Sequence, residues 1–528
     1  MSVVKVLISD KLGEDAVRIL EARKIETVFA PDLGKDPEAL KAALADVHGL
    51  AIRSATKVTA EVIAAAPELK VVGRAGIGVD NVDIEAATAA GIAVMNTPFG
   101  NAITTAEHAI AMMFAVARRI PQADASTKLS KWEKSKFMGR ELYGKTLGLI
   151  GAGNIGGIVA SRAQGLQMKV VAFDPFLSEE KAAQMGVELV SLSELLTRAD
   201  FVSLHTPLTD KTRNILGKEA FDVIRKGAYI INCARGGLVD EAALLEALKD
   251  GRVAGAALDV FEEEPAKDNP LFDHENVVVT PHLGASTQEA QENVAIQIAE
   301  QIADYLLTGA VQNALNMPSV TAEEAPLLRP FINLGERLGS LVGQLSDGAI
   351  TEISVRFAGQ VAELKTGPIL AGAVSAALKP QLDTVNTVNA VSIAKDRGIT
   401  ITEEKTETSP NFGSTLTVSV KAGEQSFAAT GALFGGEPRI VRIDDVRLEA
   451  SLQSHMLFVI NEDKPGMIGA VGDELRKAEA NIATFNLGRR EAGGEALALI
   501  AVDEPLPPKV LETIRELALI KRVVPLRF

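Results

Sequence analysis

At 528 residues the chain is too long for one hydrophobic core, so three or four domains are expected. A net charge of -15 with only 4% aromatic residues excludes nucleic acid and anionic membrane as partners, and leaves room for an anionic metabolite only where arginines cluster. The single cysteine, Cys233, excludes an intrachain disulfide and suits a reducing compartment. The first residues lack a leader's basic-then-apolar layout, so a cytoplasmic protein is expected.

The first hundred residues alternate β-branched runs with Ala-rich stretches. Val3–Ile8, Gly49–Ile52, Lys70–Val72 and Ile92–Met95 read as strands, and Pro37–Ala45 as a helix between them, the pattern of a parallel α/β domain. A long helix is expected over Ala102–Arg119, stopped by Pro121. A second series follows: Lys145–Ile150, Lys169–Phe173, Phe201–Leu204, Tyr229–Asn232, Val253–Leu258 and Val277–Thr280 make six strands, enough for a full dinucleotide-binding sheet. The helix Gln288–Leu307 ends at Gly309. Beyond Pro318 the texture shifts to Ala, Gly, Val and Thr; residues 402–420 alternate as antiparallel β, and a strand–helix–strand–strand–helix–strand unit opens at His455. The fold class expected is α/β: two doubly wound parallel-sheet domains, the second of Rossmann type, followed by two α+β domains.

Gly151-Ala152-Gly153-Asn154-Ile155-Gly156 sits between a strand and a helix. Gly151 permits the tight turn, Gly153 lets backbone approach a pyrophosphate, and Gly156 lets helix pack close to strand; the helix start adds N–H groups. The next strand ends at Asp174, eighteen residues past Gly156, where a carboxylate accepts ribose hydroxyls and repels a 2′-phosphate. NAD is therefore expected over NADP.

Three polar residues stand at strand ends: Arg235 before Gly236-Gly237, Glu264 before Pro265, and His282 after Thr280-Pro281. Oxidation of a 2-hydroxy acid sends a hydride from C2 to nicotinamide, so a base must take the hydroxyl proton, and imidazole suits neutral pH. A neighbouring carboxylate orients that ring, and a guanidinium binds the substrate carboxylate by its fork. His48, His108, His205 and His274 lack such an acid-bearing context and read as ordinary polar residues. No His/Cys cluster has metal-ligand spacing, so no metal is expected.

These motifs, together with Arg74-Ala75-Gly76-Ile77-Gly78-Val79-Asp80-Asn81, Asn232-Cys233-Ala234-Arg235 and Asp259-Val260-Phe261, resemble the D-isomer-specific 2-hydroxyacid dehydrogenases over residues 1–316. Over its whole length the chain is similar to the long-form members of that family. The resemblance implies His282 as acid/base, Glu264 as its partner, Arg235 as carboxylate binder, and further cofactor contacts at Ile155, Thr206, Cys233, Ala234, Asp259 and Gly284. It implies that the first domain holds substrate and is split, 1–98 with 284–316, around an NAD domain, 99–283, and that two regulatory domains follow, an intervening domain, 317–452, and an ACT domain, 453–528. Arg53, Lys57 and Arg74 are the positions implied for a substrate phosphate, making 3-phospho-D-glycerate the expected substrate; Lys134 and Lys136 are weaker candidates reaching a neighbouring subunit in a dimer or tetramer. Asn461, Asp463 and Asn481 around Pro465-Gly466 are implied for an amino-acid effector, with serine expected. Three alternatives stay open: a glyoxylate or hydroxypyruvate reductase, a dinucleotide-sensing corepressor, and an amino-acid sensor with an inert dehydrogenase half.

Overall fold

Parallel strands covered by helices on both faces are apolar at every position rather than at alternate ones. Strands β1 (Lys5–Ile8), β3 (Gly49–Ile52), β4 (Val71–Arg74) and β5 (Ala93–Asn96) come close to this rule, with β3 and β5 buried at every residue, while β2 (Glu26–Phe29) departs from it. They form a parallel sheet in the order β2-β1-β3-β4-β5. The edge strand β2 was not expected: its four residues, Glu-Thr-Val-Phe, are only partly covered and carry no clear pattern. This computed structural model describes residues 3–320, 323–409 and 411–528.

The second sheet is built from β6 (Thr146–Ile150), β7 (Lys169–Phe173), β8 (Glu188–Leu189), β9 (Phe201–Leu204), β10 (Ala228–Asn232), β11 (Val253–Leu258) and β12 (Val277–Val279), in the order β12-β11-β10-β9-β6-β7-β8. It has seven strands rather than the expected six, the addition being the two-residue edge strand β8. The strand order reverses between β6 and β9, where such sheets place their ligands, and the glycine-rich turn lies there.

The helix Ala102–Arg118 joins the two layers and packs on β10 and β11. It ends where Arg119 turns left-handed at φ 52°, and Pro121 falls in the first turn of the next helix, Ile120–Lys128. Pro121 therefore opens a helix instead of stopping one, because a first-turn residue needs no donating N–H. The helix Gln288–Thr308 begins at Thr287, whose hydroxyl accepts from Ala290 N, and ends at Gly309 with φ 71°. Its Ile298 and Ile302 press on the first sheet so closely that a Cβ at Gly73 would lie 2.6 Å from Ile302 Cδ1.

A third, six-stranded sheet contains β13 (Ile350–Gly359), β14 (Thr400–Thr406), β15 (Ser414–Ala422), β16 (Gln425–Phe434), β17 (Glu437–Ile443) and β18 (Val446–Ala450), in the order β14-β13-β15-β16-β17-β18. The expectation of purely antiparallel pairing over 402–420 holds for β15 and fails for β14. That strand runs parallel to β13 because the helices Gly367–Leu378 and Ala390–Asp396 carry the chain across before it. The last unit has β19 (His455–Glu462), β20 (Ile482–Arg489), β21 (Glu495–Val502) and β22 (Ile520–Arg527), antiparallel in the order β20-β21-β19-β22, with helices Met467–Lys477 and Pro508–Arg515. Gln344 Nε2 donates to Arg527 O at 2.9 Å and Arg522 to Leu345 O at 2.6 Å, fastening this unit to the helix Ala325–Leu345. Among the described residues no helix is long and apolar enough to cross a membrane.

Candidate active site

Strands β10, β11 and β12 deliver Arg235, Glu264 and His282 to the same edge of the second sheet. His282 Nδ1 lies 2.6 Å from Glu264 Oε2. The other oxygen of Glu264 accepts from Phe261 N at 3.1 Å, so the carboxylate is fixed at both ends. The hydrogen bond to Glu264 raises the imidazole pKa above its usual 6.5, against the opposing pull of burial. Burial pushes Glu264 upward, yet the bond from His282 and its charge more than offset this and leave the carboxylate lowered. The pair is therefore set up as imidazolium–carboxylate over a wider pH range than free histidine would allow. Of the three consecutive glutamates, Glu264 is the one bonded to His282, whereas Glu262 N donates to Glu241 on the helix Glu241–Lys249.

Across the cleft, the first sheet contributes two arginines at strand ends. Arg74 ends β4, and its pKa falls to about 10, chiefly through burial and then through repulsion from Arg235 and Arg53. It stays charged at neutral pH, and its Nε is buried without a hydrogen-bond partner. A buried cationic donor with no acceptor is costly, and an anion in the cleft would satisfy it. Arg53 is held by its backbone N–H to Asp10 Oδ2 at 2.6 Å, and Asn81 Nδ2 clamps its loop through Arg53 O and Thr56 O at 2.7 and 2.6 Å. Arg235 Nε reaches over to Asp80 Oδ2 at 3.1 Å, bridging the two sheets.

Gly76 and Gly78 make room for these cations. Gly76 sits at φ 135°, and a Cβ there would lie 1.6 Å from Arg74 Nη1, while one at Gly78 would lie 1.7 Å from Arg235 Nη2. The Arg74–Asn81 motif thus encodes a close approach of two guanidiniums to backbone. Its Asp80 and Asn81 were given no role from sequence; their place beside Arg74 at a strand end was the available signal. Lys57, Lys134 and Lys136 are exposed, and Lys136 pairs only loosely with Glu133 at 3.8 Å.

The glycine turn fits a dinucleotide. Gly151 adopts φ 91°, and Gly153 has nothing within 4 Å of a would-be Cβ, leaving open space over its backbone. Asp174 Oδ2 accepts from Ala152 N and Oδ1 from Phe176 N, both at 2.9 Å, so the carboxylate is anchored beside the turn. A cavity of about 540 Å³ opens there, lined by Ala152, Gly153, Asn154 and Leu177 among others. Ile155, Thr206, Cys233, Ala234 and Gly284 lie in loops or helix starts along the same sheet edge, with Cys233 buried. Asp259, also expected to touch cofactor, is fully enclosed, and its oxygens are taken by Thr280, Leu283 N and Gly284 N. His205 is buried and pushed down to about 4, so it stays neutral beside Ser203 and offers no rival base.

Three family descriptions match the chain: the NAD-binding domain of D-isomer-specific 2-hydroxyacid dehydrogenases over residues 110–284, the D-3-phosphoglycerate dehydrogenase intervening domain over 327–444, and the ACT domain over 455–519. D-3-phosphoglycerate dehydrogenase of Methanocaldococcus jannaschii is 44% identical over 98% of this chain and 99% of its own length; that of Bacillus subtilis is 42% identical over 96% of each. The chain belongs to the D-3-phosphoglycerate dehydrogenase family. The crystal structure of the TT0316 protein from Thermus thermophilus covers 59% of this chain and 100% of its own at TM-score 0.55 and 36% identity. D-lactate dehydrogenase from Aquifex aeolicus, solved with NAD and lactic acid, covers 60% of this chain and 100% of its own at 0.53 and 28%. The family member described here is an NAD-dependent 2-hydroxyacid dehydrogenase carrying an ACT domain.

In the ACT domain, Pro465-Gly466 turns the chain at φ 100° into the helix Met467–Lys477. Asp463 Oδ2 accepts from Arg489 Nη1 at 2.8 Å and Gly493 N at 3.0 Å, and Asn481 Nδ2 donates to Asp503 at 2.8 Å. Asn461 is buried, donates to Glu462 O, and keeps its Oδ1 unpartnered.

Proposed function

We propose that the chain oxidises 3-phospho-D-glycerate to 3-phosphooxypyruvate with NAD, the first step of L-serine synthesis. The observation that carries this reading is the 2.6 Å His282–Glu264 pair facing a cleft that three arginines make positive in an otherwise acidic chain. Bound NAD supplies the acceptor for the C2 hydride. His282 takes the C2 hydroxyl proton, and Glu264 stabilises the imidazolium that results. Arg235 binds the substrate carboxylate, exchanging Asp80 for it, with fork geometry suited to the task. Arg74 and Arg53 receive the phosphate, and Lys57 adds positive charge at its edge. The glycine turn and the start of the helix Asn154–Gly165 hold the pyrophosphate, and Asp174 the adenosine ribose.

This reading divides the chain into 1–98 with 284–316 for substrate, 99–283 for NAD, 317–452 as intervening domain and 453–528 as ACT domain. Return of the helix Gln288–Thr308 to the first sheet supports the split, and movement between the first two parts would shut water out of the cleft. Serine at Asn461, Asp463 and Asn481 is the effector in this reading, slowing the enzyme by restricting closure. The reading takes the protein as cytoplasmic and as a homo-oligomer, dimer or tetramer; the exposed apolar run Leu129, Trp132, Met138 and Tyr143 supports the oligomer, and a monomer by light scattering would overturn it.

The test is NADH formation from 3-phospho-D-glycerate with the ketone trapped. Turnover should far exceed that with glycerate or lactate. Preference for an unphosphorylated acid would remove the phosphate role from Arg53 and Arg74, and no turnover with any acid would leave a binding protein.

A further inference from the structure

His108 lies on the helix that joins the two sheets, and no reading of the sequence gave it a role. Its Nε2 is 3.2 Å from Thr280 Oγ1 and 3.3 Å from Asp259 Oδ1. The Thr280 hydroxyl donates to Asp259 Oδ1 at 2.6 Å, so its proton is already committed. Asp259 is held below the usual carboxylate range and accepts only: burial works to raise it, and bonds from His108, Thr280 and Leu283 N outweigh that. With two acceptors in front of it, His108 Nε2 must carry a proton and donate.

Asp259 in turn organises the segment that bears the proposed base. Its Oδ1 accepts from Leu283 N at 2.7 Å and its Oδ2 from Gly284 N at 2.8 Å, while its backbone oxygen accepts from His282 N at 2.9 Å. His282 itself is left-handed at φ 54°, a conformation that a non-glycine residue holds only when its surroundings impose it. A fully enclosed carboxylate keeps its place only while donors surround it. We propose that His108 is a positioning residue for catalysis: by donating to Thr280 and Asp259 it pins the turn 280–284, and through that turn the imidazole of His282. Thr105, one helical turn earlier, packs on the same segment, lying 3.4 Å from where a Cβ at Gly284 would stand.

The same neighbourhood brings Cys233 Sγ, His108 and Asp259 within 4.8 Å of one another. Burial drives the thiol pKa upward, and the Asp259 oxygens are already engaged, so a hydrogen-bond relay accounts for the cluster without a cation.

The inference rests on His282 being the base, and the full-length His282→Ala protein tests that separately. For His108→Ala, kcat for 3-phospho-D-glycerate oxidation should fall about 100-fold, the scale of a misplaced reacting group. The KM for substrate and the Kd for NAD by calorimetry should change far less than kcat, and Tm should fall only modestly, as the loss of one buried donor implies. His108→Gln, whose amide N–H can replace Nε2–H, should restore about tenfold of the loss. Thr280→Val should reproduce the selective kcat loss and Thr280→Ser should not; this pair also serves if His108→Ala fails to fold. Wild-type kcat in His108→Ala or in Thr280→Val overturns the proposal. So does a kcat loss that tracks Tm and that neither His108→Gln nor Thr280→Ser relieves. If His282→Ala alone remains active, the base assignment fails, whatever the His108 variants show.

Discussion

Glu264 in the cleft and Asp463 in the ACT domain are both carboxylates held low by a partner, yet the partners differ in kind. Glu264 meets an imidazole, a group whose charge changes near neutral pH, and the same dyad faces Arg235. Asp463 meets the backbone N–H of Gly493 and the permanently charged Arg489, both within its own domain. The cleft therefore presents groups whose chemistry is unfinished: a titratable base, a buried arginine donor without an acceptor, and an open glycine turn. The ACT corner presents groups already spent on the fold, apart from the unpartnered Asn461 Oδ1. In the first arrangement a substrate has only the Arg235–Asp80 pair to displace before reaction can start. A ligand in the second must displace existing bonds.

The strongest way to break this contrast is His282→Ala. Loss of a positioned general base lowers kcat by about 10²–10⁴, with NAD binding retained; comparable turnover would take His282 out of the chemistry. Arg74→Ala comes next. Removing charge-assisted bonds to a phosphate, about 1.5–3 kcal/mol, raises KM for 3-phospho-D-glycerate roughly 10- to 150-fold, while the weaker activity on glycerate changes little. Equal losses on both acids would show that Arg74 supports the fold and not the phosphate.

Glu264→Gln sharpens the comparison through pH. The base must be neutral to accept a proton, so oxidation rises with pH through the His282 pKa, which the bond to Glu264 holds above 6.5. Without that carboxylate the pKa drops toward 6.5, and the midpoint of kcat/KM against pH moves to lower pH even as the plateau falls. A midpoint that stays in place would mean another group sets the profile.

Legibility in the sequence followed the same division. Arg235, Glu264 and His282 could be read because each caps a parallel strand, and such sheets direct strand ends to one edge. The glycine turn and Asp174 were legible through spacing. What stayed hidden depended on distance in space. Asp80 meets Arg235 across 155 positions, and His108 meets Thr280 across 172, with no local pattern to announce either pair. Strand β14 was misread because alternation tells that one face is buried and says nothing of direction, which the preceding helices decided. The helix end at Arg119 was placed correctly but credited to Pro121, because a left-handed turn at arginine belongs to no strongly favoured residue type.

The smallest effects belong to the ACT corner, where they are also the most discriminating. If serine binds there, it has to compete with Arg489 for Asp463. An exposed ion pair of this sort contributes little, so Arg489→Ala should tighten inhibition by serine by only a few-fold at most. Asp463→Ala should abolish the response. A looser response in Arg489→Ala would make the arginine part of the ligand site rather than its competitor. Serine that binds by calorimetry while the rate holds steady at every concentration would leave the domain as an amino-acid-binding module uncoupled from the cleft, and the bonds to Gly493 and Asp503 as structure alone.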